Sequence, residues 1–114
     1  MRFLLDHEII PIAYSPIGRP GDEANGATQI LDDPLVLSLA DKHSRSPVEI
    51  VLNWGLCRGY SIIPRSSQLA HQIENIRALE FRLEDTEVKA ITAKLDDGTL
   101  NFTAPSDIQY NLFA

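Results

Sequence analysis

The chain has 114 residues, a formal charge of −6 and a hydrophobic fraction of 44%, which suits one soluble globular unit and excludes general disorder. The acidic balance argues against nucleic acid as a partner, because neutralising phosphates needs a basic face, and no apolar run approaches the ~20 residues of a membrane helix. Cys57 is the only cysteine, so no internal disulfide is available, which fits a reducing compartment and a cytoplasmic location.

The opening "MRFLLDHEIIPIAY" has one cation and an acidic interruption and lacks a signal-peptide core. Within it, Glu8 to Tyr14 is a short apolar run, and Ile9, Ile10 and Ile12 predict a buried strand. Pro11 has no N–H to donate, so it suits a strand start or an unpaired position. Residues 15–31 are rich in Gly, Pro, Asp and Asn and read as a long loop, a length at which loops are often functional. Asp32 or Asp33 can cap a helix with Pro34 in its first turn, an apolar face of Leu35, Val36, Leu39 and Ala40, and an end near His43. "SPVE", Ser46 to Glu49, predicts the next helix start: a serine cap, a proline at the first helical position and a glutamate to complete a capping box. That helix should run to Arg58 with Gly59 just beyond its end, turning Val51, Trp54 and Leu56 inward. "YSIIP" reads as a second strand, Gln68 to Leu79 as a helix with Leu69, Ile73, Ile76 and Leu79 on one stripe, and Leu83 to Asp96 as a last helix carrying Val88, Ile91 and Leu95. The tail from Thr99 has no clear period.

Two strands separated by a long helical crossover imply parallel pairing in an α/β fold with helices outside the sheet. Two strands cannot bury the faces of four helices, so the architecture is expected to be part of a larger one.

In parallel α/β proteins ligands collect at the carboxyl ends of strands. Two stretches occupy that place, Tyr14 to Gly18 and Arg65-Ser66-Ser67. A cation, hydroxyls and a helix start together make a phosphate cradle; the bland alternative is an ordinary cap by Ser66 or Ser67 with Arg65 solvated. Tyr14 can stack on a flat ligand or pack in the core, and Glu74 and Asn75 can bond a purine or face water. His71 can assist a phosphate or sit on the surface. Trp54 and Cys57 are expected in the core. The histidines and Cys57 show no metal-ligand spacing, and there is no GxGxxG, P-loop or nucleophile elbow. The "LADKHSRSPVEIVLNWGLCR" stretch is too apolar in its second half to read DNA.

Taken in order, "IPIAYSPIG", "DDPLVLSLADKHSRSPVEIVLNWGLCRGYSIIPRSS", "IEN" and "LEDTEVKAI" resemble the C-terminal part of aldo-keto reductases, over residues 7 to 97. The resemblance implies a C-terminal fragment of a (β/α)8 TIM barrel that binds NADP(H): strands seven and eight with four helices, then a tail over 99–114, the whole of 1–114 being one partial oxidoreductase domain. It implies that Tyr14 stacks on the nicotinamide, that Ser15 and Ile17 line the pyrophosphate path, that Arg65 and Ser66 grip the 2′-phosphate, and that Glu74 and Asn75 lie near the adenine. Arg65 stands where the family has lysine and keeps the charge. His71 stands where the family has arginine; losing a charged hydrogen bond there costs ~1.5–3 kcal/mol, so NAD(H) stays open beside NADP(H).

The family's catalytic Asp, Tyr, Lys and His belong to the first half of the barrel, and nothing in this chain matches their motifs. The expectation is therefore cofactor-binding elements without catalytic residues or a metal, from a truncated chain or incomplete gene product that is inactive alone and poorly folded. The full enzyme's partner would be a small-molecule carbonyl substrate, and the exposed barrel edges would invite self-association or a protein partner. The alternative is a non-catalytic remnant that binds a nucleotide or a protein.

Overall fold

The computed structural model describes residues 2–17 and 30–96; the expected tail, Gly18 and most of the 15–31 loop lie outside them. Two proline-initiated helices follow from local chemistry. α2 spans Pro34–His43, and the Asp33 carboxylate accepts from the N–H groups of Leu35 and Val36 at 2.9 and 3.4 Å. It ends at Ser44, whose left-handed φ of 53° turns its N–H back onto Ala40 and Asp41 carbonyls. α3 spans Pro47–Cys57; Ser46 Oγ accepts from Glu49 N–H at 3.2 Å, and Gly59, at φ 83°, takes the turn beyond its end. The expected return bond of the capping box is replaced. The Glu49 carboxylate, buried, lies 3.3 Å from Arg45 Nη1 and 3.7 Å from Arg77 Nε, because a carboxylate taken out of water needs cations more than one amide.

The first strand is shorter than the sequence suggests. α1 covers Arg2–Asp6, a short helix the apolar pattern did not announce, and Glu8 closes it with a φ of 56° while Ile9 N–H donates to Leu4 O at 2.8 Å. β1 is then only Ile12–Tyr14, and it pairs in parallel with β2, Ser61–Ile63. Pro11 does sit at the strand start, where its carbonyl accepts from Ser61 N–H at 3.0 Å. Ala13 and Ile62 turn toward α3, whose Gly55 lies against the Ile62 side chain. The other sheet face is bare. Ile9, Ile10 and Ile12, expected inside, are 48% to 67% exposed, because nothing among the described residues covers that side.

The core lies between the helices, where Ile30, Val36, Leu39 and Ala40 meet Ile50, Val51, Trp54, Leu83 and Ile91. Leu56, expected inside, is only half-buried; Cys57 is half-buried too but packs against this core as expected. α4, Leu69–Arg77, buries no residue: Leu69, Ile73, Ile76 and the following Leu79 are 50% to 71% exposed. α5, Asp85–Asp96, starts with the reciprocal bond that α3 lacks, Glu84 N–H donating to Glu87 Oε2 at 2.9 Å.

Asn53 joins α3 to the segment leading into α5. Its amide donates to the carbonyls of Ala78 and Phe81 at 2.9 and 2.7 Å, and its Oδ1 accepts from Leu83 N–H at 2.9 Å and from the Cys57 thiol at 3.3 Å. Removing it strands three backbone groups, at about 1–3 kcal/mol for each that stays buried. Asn53→Ala is expected to lower unfolding free energy in urea by more than ~3 kcal/mol; a loss under ~1 kcal/mol would contradict this role.

α5 runs antiparallel to α2 and is clasped at both ends. Lys42 Nζ and His43 Nε2 meet Glu87 at 2.6 and 2.9 Å, and Lys94 Nζ meets Asp33 at 2.8 Å. Burial pushes the Glu87 carboxyl up, but the bonds from Lys42, Glu84 N–H and His43 outweigh it and hold it down at about 2, from 4.5. A lowered carboxyl stabilises the fold above its unfolded pKa, and that stabilisation is lost as pH falls from 4.5 toward 2. Acid titration followed by circular dichroism should show Glu87→Gln losing less stability than the parent over this window. Parallel acid profiles would refute the assignment.

Candidate functional site

The register pairs Ile12 with Ser61, Ala13 with Ile62 and Tyr14 with Ile63. Both strands therefore end side by side, and the loops opened by Ser15 and by Pro64 leave from the same edge. Ser15 bends the chain at once with a φ of 50°, a left-handed conformation that serine adopts at some cost. Tyr14 stands on the bare sheet face, 65% exposed, so the core alternative does not hold for it.

After β2, the Ser66 hydroxyl accepts from Gln68 N–H at 3.0 Å, and Gln72 Nε2 donates to Ser66 O at 3.0 Å. These bonds fix Arg65 and Ser66 against the first turn of α4. Neither serine caps the helix. The cap position is Gln68, with no side-chain cap bond, because the Ser66 hydroxyl is already engaged in a tight turn.

Tyr14, Ser15, Ile17, Arg65, Ser66, His71, Glu74 and Asn75 all line one open hollow of about 610 Å³. Ser67 does not line it. Pro16, Leu31, Val48, Ile63 and Pro64 complete the wall. His71, Glu74 and Asn75 lie three and four residues apart, on one face of α4. That face is opposite the Leu69–Ile73–Ile76 stripe, so α4 turns its polar side to the hollow and its apolar side away. Among the described residues, no hydrogen bond or ion pair engages the side chains of Tyr14, Arg65, His71, Glu74 or Asn75. The hollow thus offers a cation, an imidazole, a carboxylate, an amide and an aromatic ring beside apolar walls, which suits a ligand with anionic and flat parts. The described residues hold no cluster of three groups able to bind a metal ion, and no helix among them is long and apolar enough to cross a membrane.

Leu31 and Val48 escaped the sequence reading. Each belongs to an element that reaches the hollow only through tertiary packing, and neither carries a local signal.

The model of the aldo/keto reductase family matches residues 1–96. The chain belongs to the aldo/keto reductase family. It is 36% identical over 95 residues to an NADP-dependent D-sorbitol-6-phosphate dehydrogenase of Malus domestica, covering 80% of this chain and 30% of that protein. It is 37% identical over 83 residues to a probable NAD(P)H-dependent D-xylose reductase of Emericella nidulans, covering 73% of this chain and 25% of that one. The chain spans about a third or less of these relatives' length. Among solved structures, an aldo/keto reductase from Brucella melitensis superposes with a TM-score of 0.68 at 34% identity, over 81% of this chain and 32% of that one. A mutant of Gox0644 in complex with NADPH superposes with a TM-score of 0.70 at 25% identity, over 93% and 35%. These neighbours are TIM barrels, and this chain shows two parallel strands and the helices of that α/β architecture.

Proposed function

We propose that this chain carries the nucleotide-holding part of an NADP(H)-dependent oxidoreductase that reduces aldehydes or ketones. One observation supports it above the others: the Tyr14 and Arg65 loops open on the same hollow. In this reading Tyr14 stacks on the nicotinamide, Ser15 and Ile17 line the pyrophosphate path, and Arg65 with Ser66 holds the phosphate on the adenosine ribose. Glu74 and Asn75 bond the adenine, and His71 borders the phosphate. When bound, the nucleotide supplies the hydride. This chain's residues bind and orient it; no proton donor for the carbonyl oxygen is assigned among them. Residues 1–114 form one partial domain with the tail over 99–114 inside it, working in the cytoplasm as the single cysteine suggests.

Arg65 makes the phosphate contact by charge, so its removal should discriminate between nucleotides. In fluorescence titrations, Arg65→Ala is expected to weaken NADPH by roughly ten- to hundredfold and leave NADH nearly unchanged. The chain alone should show no NADPH oxidation with D-xylose or a simple aldehyde. Absence of saturable binding by either nucleotide, equal weakening of both, or steady turnover would overturn the reading.

A second reading has its own support. The bare sheet face and the α4 stripe expose more large apolar side chains than a monomer ordinarily tolerates, which favours association with a protein or a second copy over catalysis. Light scattering of the same samples separates the two. A nucleotide-free chain that assembles and never binds NADPH would favour the non-catalytic remnant.

A further inference from the structure

Asp33 does two things at once. Its carboxylate caps α2, and with a side chain only 4% exposed it takes Lys94 Nζ at 2.8 and 3.0 Å. Lys94 comes from the far end of α5, 61 positions along the chain. Immediately before Asp33 lies the short 3-10 turn Ile30–Asp32. Ile30 is anchored in the core, Leu31 lines the hollow, and Asp33 N–H donates to Ile30 O at 3.4 Å. The residue that starts α2 therefore also fixes the turn that presents Leu31.

A buried carboxylate with two amide donors still needs a counter-charge. Without Lys94, Asp33 gains by turning toward water, and the turn bearing Leu31 moves with it. Neither this clasp nor the Glu87 clasp at the opposite end of the same helix pair contains a residue that lines the hollow. Asp33, however, sits two positions after Leu31, which does, while no member of the Glu87 clasp lies within two positions of a lining residue. The two clasps thus differ in one respect that matters here, their connection to the site.

We propose that Lys94 is a positioning residue for the hollow, acting through Asp33 to hold Leu31 in its apolar wall. This rests on the reading that the hollow takes a dinucleotide. The ligand touches neither Lys94 nor Asp33 in this scheme; the ion pair sets the shape of the wall, and so the affinity, at second hand.

The test is NADPH titration of the full chain and its variants. Lys94→Met is expected to weaken binding by about three- to tenfold, while Lys94→Arg, which keeps the charge, and Lys42→Met, which breaks the other clasp, stay within about twofold of the parent. Asp33→Asn still caps α2 but leaves no buried charge to balance. In that background Lys94→Met should fold and change affinity by less than about twofold, which keeps the test readable if Lys94→Met alone unfolds. Parental affinity in Lys94→Met, equal weakening by Lys42→Met, or full weakening by Lys94→Met in the Asp33→Asn background would each overturn the proposal. A parent chain that binds no NADPH removes the underlying reading instead, a result distinct from all three.

Discussion

Parallel pairing of β1 with β2 is the constraint from which the site follows. Two strands of three residues each cannot be joined by a hairpin in this orientation, so α2 and α3 must carry the chain back between them. The return sets Tyr14 beside Ile63 and releases both loops at one edge. An antiparallel arrangement would send Arg65 to the Ile12 end, and no hollow could join it to Tyr14. Among the described residues, the pair is covered on one face only, where α3 packs against β2, so β2 depends on that helix for its position.

α3 in turn is held by polar groups that are buried and satisfied. Asn53 serves four partners, and Glu49 draws in Arg45 and Arg77. Such groups add little net stability as a sum, but their loss is costly because what remains is unpaired in a dry place. They fix one arrangement of α3, α4 and α5 against others of similar apolar burial. α4 illustrates the division of labour. Its polar face belongs to the hollow and its apolar stripe is open, so its orientation is set by its two ends and by the Ser66–Gln72 bond rather than by a core. The bare stripe and the bare sheet face lie on a chain that spans about a third of its relatives' length.

What could be read from the sequence was local. The caps at Asp33 and Ser46, the turn at Gly59 and the end of α2 near His43 depend on residues a few positions apart, and they formed where expected. The parallel sheet was legible because a crossover of that length leaves little choice. The missed features depend on distance or on competition. Asn53 meets partners 25 to 30 residues away, and Lys94 meets Asp33 across 61. The Ser66 hydroxyl was spent on a turn, so it could not cap α4. Ile9 and Ile10 carry a strand's composition, yet α1 and Glu8 take up the chain before a ladder can begin. The eight residues singled out for a ligand came together at one hollow because the order of the motifs already encoded which strand ends they follow.

The strand register itself can be measured. Proton–proton contacts between the two strands, read by NMR on labelled chain, should link Ala13 with Ile62 and Tyr14 with Ile63 in a parallel ladder. Contacts pairing Tyr14 with Ser61, or Ile12 with Ile63, would reverse one strand, separate the two loops and contradict the account.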